Sequence, residues 1–189
     1  FESRMKFIQE NFGETKEGYS EKVLNEFEKI KNIPENADVY FWFEDDLFCQ
    51  VNLWFLLSNI SSENQNLFVV FPTFNDEKDR WKGFGHHDAE DLKRCFAESK
   101  KINSNDLELG QKLWKAFSKA DLQKLKIFSI YFNDNYSTFF TYKSMYSAHI
   151  LHFSFQDTYS TEKKALLVSE FPLVFLLLLP LLLLAIAQG

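Results

Sequence analysis

The sequence has few of the residues on which several common kinds of site depend. Only two of its 189 residues are cysteine, Cys49 and Cys95, and each lies in an apolar or helical stretch. Two thiols so placed exclude a disulfide framework and a cysteine-based zinc site, and we expect both to be reduced in a cytoplasmic protein. The chain also contains no P-loop, no serine or cysteine nucleophile signature and no internal repeat. The enzyme classes marked by those signatures are therefore disfavoured.

Basic residues also do not outnumber acidic ones. The chain carries 27 acidic residues against 21 Lys and Arg residues, which gives a net charge of −6. That sign opposes non-specific attraction to nucleic-acid phosphates, so bulk nucleic-acid binding is not expected. What the chain has in quantity is hydrophobic residues, 46% of the total, and aromatic residues, 17%, including 22 Phe. This composition predicts a folded protein with a sizeable core.

Two apolar stretches predict neighbouring parallel strands. Residues 38–44, DVYFWFE, are aromatic and β-branched without a turn former, and residues 67–72, LFVVFP, are apolar throughout. Residues 46–60 between them have the apolar spacing of a helix. Strand, helix and strand in this order predict a βαβ unit with a right-handed crossover. The expected fold class is thus α/β, with a partial Rossmann-like parallel sheet followed by a mostly helical second half.

Helices are predicted on both sides of this unit. Apolar spacing favours one helix that ends at Gly13 and a second that starts with an N-cap at Ser20. Further along, Asp88 and Asn103 each have an acidic residue at the third following position, a pattern that indicates helix starts. The second half of the chain should therefore consist mainly of helices.

These patterns divide the chain into three parts. Residues 1–100 are expected to form the α/β part and residues 101–170 a helical part, while residues 171–189 have a different, leucine-rich composition. About 17 apolar residues, 171–187, would span roughly 25 Å as a helix, somewhat less than the ~30 Å hydrocarbon core. A C-terminal membrane anchor is one interpretation of this tail; a cleaved lipid-anchor signal and a non-native end are the others. Membrane anchoring is accordingly the alternative to a cytoplasmic location.

The candidate site lies where the first strand ends, at the consecutive acids Glu44, Asp45 and Asp46. Ligands of open parallel sheets bind beyond the carboxyl ends of the strands. Asp46 and Gln50 are one helical turn apart, so we expect them to share an acidic crevice with Glu44. The alternative for Asp45 and Asp46 is structural, since aspartate at a helix start usually caps the helix.

The loop after the second strand is expected to bring more polar groups to the same edge of the sheet. Residues 73–87 are polar and long for a connection, and long loops of compact domains are often functional. Near the end of this loop Gly85, His86 and His87 are candidates for ligand binding together with Gln50. The alternative is that both histidines are exposed loop residues ahead of the helix start at Asp88.

The chemistry of these groups leaves two classes of function open. Carboxylate oxygens with an imidazole suit Mg²⁺ or Mn²⁺, so Glu44, Asp46 and His86 are candidate metal ligands, and Glu44 and Asp46 candidate catalytic residues. A divalent-metal-assisted hydrolase or phosphotransfer enzyme is one possibility. The favoured one is a ligand-binding or regulatory module whose crevice holds a small molecule or a protein ligand, because a catalytic site needs more convergent groups than this sequence shows.

The strand end and several later stretches resemble the bacterial family described as domain of unknown function 1835. That family has a hydrophobic strand ending in Trp-Phe-Glu-x-Asp-Leu-x-x-Gln. The corresponding residues here are Trp42, Phe43, Glu44, Asp46, Leu47 and Gln50. Looser similarities cover the turn at Phe84 and Gly85, residues 103–122 with Trp114 and Phe117, residues 148–153 and residues 160–167. The resemblance extends over roughly residues 1–168.

The resemblance implies architecture more than activity, because the family has no settled function. Its members begin with a further strand and an Asn-Gly-Asp loop, which this sequence does not contain, so the resemblance implies a fragment. They also continue beyond the region of residues 160–167 into a small winged-helix-like end, where this chain has its leucine-rich tail. A bacterial, Rossmann-like α/β protein is therefore what the family motifs lead us to expect.

Overall fold

The architecture comes from a computed structural model, which describes residues 2–44, 46–60, 66–74 and 76–130. The predicted helical stretch beyond residue 130, the leucine-rich tail and Asp45 lie outside those residues. Within the described part of the chain, no helix is both long and apolar enough to cross a bilayer.

The amino-terminal helices begin and end close to the predicted positions, with one exception. Helix α1 (Glu2–Phe12) stops before Gly13, whose φ of +70° cannot continue a right-handed helix. The next helical stretch starts earlier than expected, because Thr15 and not Ser20 is its N-cap and accepts a hydrogen bond from the Gly18 N–H at 3.0 Å. The predicted N-cap at Ser20 is wrong, since its backbone is already helical (φ −61°, ψ −47°). The stretch comprises α2 (Lys16–Tyr19), a π-helical turn (Ser20–Leu24) and α3 (Asn25–Lys31).

The predicted strand–helix–strand unit is present. Strand β1 (Asp38–Trp42) leads into helix α4 (Leu47–Asn59), and strand β2 (Asn66–Val70) follows. The two strands are parallel, with Asp38 opposite Asn66 and Trp42 opposite Val70. The chain is therefore an α/β protein over its described part, and the carboxyl ends of β1 and β2 lie side by side.

The elements after β2 complete a small mixed sheet with helices. A 3₁₀ segment broken at Gly83 is followed by a helix, a two-residue antiparallel strand beside β2, and two more helices. Both predicted helix starts are confirmed, because Asp88 and Asn103 each form a capping box with the acid three residues on. The short strand was not predicted. The bounds are Glu77–His86 for the 3₁₀ segment, Ala89–Ala97 for α5, Lys100–Lys101 for β3, Ser104–Ser118 for α6 and Leu122–Ile130 for α7.

Helix α4 lies at the centre of one hydrophobic core. The helix is buried on nearly all sides, and Leu53, Trp54 and Leu57 have almost no exposed surface. The reason is its close packing against α6: a Cβ at Gly110 would lie 2.6 Å from Leu57 Cδ1. The same core runs from Ile8 in α1 to residues of α7, so the described helices after β3 pack on the α/β part.

Candidate functional site

Glu44, just beyond β1, is held by the backbone of a distant segment. The Phe43 N–H still donates to the Val70 carbonyl at 3.1 Å, so the strand pairing continues almost to Glu44. The half-buried Glu44 carboxylate then accepts a hydrogen bond from the Phe84 N–H at 2.8 Å. A carboxylate that accepts a backbone N–H is stabilised without any ligand. The 3₁₀ segment thus reaches the end of β1, and Trp42 contacts Phe84 at a ring-centroid distance of 5.4 Å.

Gly83 makes this contact possible for two reasons. Its backbone has φ +57° and ψ −157°, a conformation open essentially to glycine alone. A Cβ at this position would also overlap the carboxylate of Glu44. The Gly83 backbone therefore packs directly against the Glu44 carboxylate, which the sequence analysis placed in the candidate site.

Asp46 is the N-cap of α4. Its Oδ1 accepts hydrogen bonds from the Phe48 N–H at 2.8 Å and the Cys49 N–H at 3.0 Å. Asp46 thus caps the helix, which was the structural alternative to a site. Its side chain nevertheless remains exposed. The Cys49 thiol lies beside it, and its pKa is raised, first by burial and next by its hydrogen bond to Asp46. Since the thiolate is the reactive form, Cys49 is held in its unreactive, protonated form.

Gln50 ties the helix to the strand end. Its side chain is completely buried, and its Nε2 donates to the Glu44 carbonyl at 3.0 Å. A buried amide that bonds to the backbone stabilises the turn between β1 and α4. Gln50 is therefore placed beside Glu44 as predicted, but it faces the interior and not an open crevice.

One group of three possible metal ligands converges at this strand end. The ligand atoms of Glu44, Asp46 and Cys49 all lie within 4.8 Å of one another. Across the described residues no other group of three such side chains converges in this way, so His86 does not join the two acids. Carboxylate oxygens suit Mg²⁺ or Mn²⁺, whereas a protonated thiol does not. The three predicted metal ligands, Glu44, Asp46 and His86, thus do not converge. In the group that does converge, Cys49 takes the place of His86.

The two histidines lie at the end of the 3₁₀ segment, and His87 contacts the stretch that follows β2. His87 Nε2 lies 2.8 Å from the Thr73 carbonyl oxygen and donates to it, because a carbonyl can only accept. The other ring nitrogen, Nδ1, is buried and has no hydrogen-bond partner in the part of the chain that the structure describes. The ring packs edge-on against Phe74 at 5.3 Å and against Phe84 at 5.9 Å. His87 therefore joins the segment after β2 to the segment that covers Glu44.

Beside His87 is an open cleft of about 140 Å³, which we call the β2 cleft. It lies beyond the carboxyl end of β2 and is lined by residues from three parts of the chain: the end of β2, the 3₁₀ segment and the exposed side of α5. Among the described side chains, its charged groups include two ion pairs, Lys82 with Asp79 at 2.8 Å and Arg94 with Asp91 at 2.5 Å. The lining residues are Thr73, Phe74, Asp79, Lys82, His86, His87, Asp91 and Arg94.

The predicted site residues are thus divided between two places. Glu44, Asp46 and Gln50 lie at the end of β1, and His86 and His87 line the β2 cleft. The remaining candidate, Gly85, is exposed, and no atom lies within 4 Å of where its Cβ would be. The 3₁₀ segment contacts the end of β1 and also lines the β2 cleft, but the two groups of residues remain separate.

Four charged residues of the β2 cleft were missed by sequence reasoning. Asp79 and Lys82 come from the long polar loop, which was singled out only for its length and polarity. Asp91 and Arg94 lie on α5, where an acid three residues before a base is typical of an ordinary exposed helix face. The signals that pointed to this cleft were the length and polarity of the loop after β2 and its two histidines, His86 and His87.

Comparison of the chain with protein-family models, with curated proteins and with solved structures found no match. The resemblance to the bacterial domain of unknown function 1835 family therefore stays a prediction from motifs. Function has to be argued from the two strand ends themselves.

Proposed function

We propose that the protein is a small-molecule-binding module whose ligand occupies the β2 cleft. The observation that carries this proposal is the open cleft beyond β2, which charged side chains from two segments of the chain line. At β1 the Glu44 carboxylate accepts from the backbone and Asp46 caps a helix, whereas the groups beyond β2 surround an open cleft. The position is where ligands of open α/β sheets bind.

The charged side chains of the β2 cleft are available to a ligand at small cost. Lys82 and Asp79 keep 33% and 45% of their side-chain surface exposed, and Arg94 and Asp91 keep 44% and 33%. Exposed ion pairs of this kind contribute about 0–1 kcal/mol to stability. A ligand can therefore replace one partner of a pair without a large loss of folding free energy.

The test is to titrate the isotope-labelled full chain with a panel of small ions and metabolites and follow the backbone amide resonances. The panel contains inorganic phosphate, acetate, ethylamine, glycine, L-alanine and Mg²⁺. We expect at least one compound to shift the resonances of Thr73 and His87 in a saturable way. In Arg94→Gln, the dissociation constant of that compound should rise about tenfold or more, because a charge-assisted hydrogen bond is lost.

A matched control lies one residue away on the same helix. Lys93 forms an ion pair with Glu90 at 2.7 Å with the same spacing, but neither residue lines the cleft. Lys93→Gln should leave the dissociation constant unchanged. Equal weakening by both variants, or shifts that avoid Thr73 and His87 for every compound, would refute the proposed site.

The second candidate is divalent-metal binding by Glu44 and Asp46, which a metal-assisted enzyme would require. What favours it is the convergence of Glu44, Asp46 and Cys49 within 4.8 Å. Binding of Mg²⁺ at 100 times its dissociation constant would stabilise the fold by ~2.7 kcal/mol. A rise in melting temperature with Mg²⁺ or Mn²⁺ that disappears in Glu44→Gln would support this candidate over the β2 cleft.

A further inference from the structure

We infer that the ligand of the β2 cleft is a small zwitterion, an α-amino acid or a molecule with the same pair of charged groups. This inference rests on the proposed function and specifies the chemical class of ligand. It follows from the signs of the charges that line the cleft, from the hydrogen bonds already used around it, and from its size.

The charges of the cleft match a ligand that carries both signs. Two cations, Lys82 and Arg94, and two acids, Asp79 and Asp91, line one small cleft, so its formal charge from these side chains is zero. A purely anionic ligand would meet the acids and a purely cationic ligand the bases, and each would lose part of the attraction it gains. A carboxylate bound to Arg94 or Lys82, with an ammonium group bound to an acid, uses both signs favourably.

The start of α5 does not offer the alternative of a backbone anion site. Its N-cap, Asp88, already accepts from the Glu90 and Asp91 N–H groups, both at 2.9 Å. The Asp88 N–H in turn donates to the Asp91 carboxylate at 3.3 Å. These donors are engaged, so an anion in the cleft depends on the side chains of Lys82 and Arg94.

The size of the cleft limits the ligand to a few heavy atoms. A volume of about 140 Å³ is close to the roughly 150 Å³ that encloses a benzene-sized molecule and well below the ~300–1,000 Å³ of sites for larger ligands. A small amino acid fits this volume, whereas a nucleotide would remain mostly outside. Phe74 adds an apolar patch on which a short side chain can pack.

The decisive experiment compares zwitterions with analogues that lack one charge, by calorimetric titration of the full chain. Glycine, L-alanine and β-alanine are the zwitterionic probes. Propionate lacks the ammonium group of L-alanine, and ethylamine lacks its carboxylate. We expect at least one zwitterion to bind at least tenfold more tightly than both analogues, because each analogue loses a charge-assisted contact. Arg94→Gln should reduce the preference for the zwitterion over ethylamine, which lacks the carboxylate, and Lys93→Gln should preserve it.

The remaining outcomes separate this inference from the proposed function. Binding of propionate or ethylamine as tight as that of the zwitterions would overturn the zwitterion class, but the cleft would remain a ligand site. Resonance shifts at Thr73 and His87 with phosphate or acetate, but with none of the three zwitterions, would overturn the zwitterion class in the same way. If no compound shifts those resonances, both the ligand class and the proposed function are wrong.

Discussion

The ends of β1 and β2 lie side by side at one edge of the sheet, yet they differ in how their polar groups are used. At the end of β1, Glu44 accepts from the Phe84 N–H, Asp46 caps α4 and Gln50 is buried. The end of β2 opens into a cleft whose described lining includes two partly exposed ion pairs and two histidines. Charge density alone therefore does not identify a candidate site; the two strand ends differ in whether an open cleft lies beside the charged groups.

The same 3₁₀ segment produces both situations. Gly83 and Phe84 cover the end of β1, and the residues on either side, Lys82 and His86, line the cleft at β2. The contacts of this segment with the end of β1 therefore position its residues that line the β2 cleft. Variants at the end of β1 should change the folding free energy, and variants in the β2 cleft should change ligand binding.

The largest effect is expected for Gly83→Ala. Alanine would have to adopt a backbone conformation essentially reserved for glycine, and its Cβ would overlap the Glu44 carboxylate. We expect the free energy of unfolding to fall by about 3 kcal/mol in urea denaturation. Gly85→Ala is the matched control, because nothing lies within 4 Å of its Cβ position, and it should change stability by less than about 0.5 kcal/mol. Similar losses for both variants would contradict the close contact of Gly83 with Glu44.

The next effect concerns Glu44 itself. Glu44→Ala leaves the half-buried Phe84 N–H without its acceptor, which should cost about 1–3 kcal/mol of folding free energy. Glu44→Gln keeps an oxygen acceptor at the same position and should cost much less. Denaturant titrations of the two variants measure the difference. If Glu44→Gln is as unstable as Glu44→Ala, the charge of Glu44 matters more than its hydrogen bond to Phe84.

A smaller effect is expected at the helix cap. Asp46→Ala removes the acceptor for the Phe48 and Cys49 N–H groups and should destabilise the protein by about 1 kcal/mol. Asp46→Asn retains a good N-cap and should be nearly neutral. A stability loss in Asp46→Asn equal to that in Asp46→Ala would show that Asp46 does more than cap α4.

A further effect, seen only in alkaline solution, is a dependence of stability on pH. The pKa of Cys49 is raised in the folded protein, mainly by burial, so the protonated thiol is favoured there relative to the unfolded chain. This contribution to stability is fully present below the unfolded thiol pKa near 8.5 and is lost as pH rises above it. The free energy of unfolding should fall between about pH 8 and pH 10 by more in the wild type than in Cys49→Ser. Parallel pH profiles would show that Cys49 does not contribute.

Much of the fold could be predicted from short-range patterns. The two apolar runs form parallel strands in which buried residues largely alternate with half-buried ones. The capping boxes at Asp88 and Asn103 follow from residues three positions apart. The two-residue β3 could not be predicted, because Lys100 and Lys101 are exposed and have no hydrophobic pattern.

The site was harder to predict, because it depends on contacts between residues far apart in the chain. Nothing near Glu44 in the sequence shows that an N–H 40 residues later will bond to its carboxylate. Likewise Arg94 looks like an ordinary surface residue until the loop after β2 is placed beside it. Sequence reasoning placed both groups of candidate residues at one edge of the sheet, but it could not tell which group lies beside an open cleft.

The most direct measurement compares Glu44→Gln with Arg94→Gln in one binding assay, with the tightest-binding zwitterion from the calorimetric titrations as the ligand. Glu44→Gln keeps the contact with Phe84 and should bind the ligand as tightly as the wild type, whereas Arg94→Gln should bind it about tenfold more weakly. Loss of binding in Glu44→Gln with normal binding in Arg94→Gln would place the site at the end of β1 and contradict the assignment to the β2 cleft.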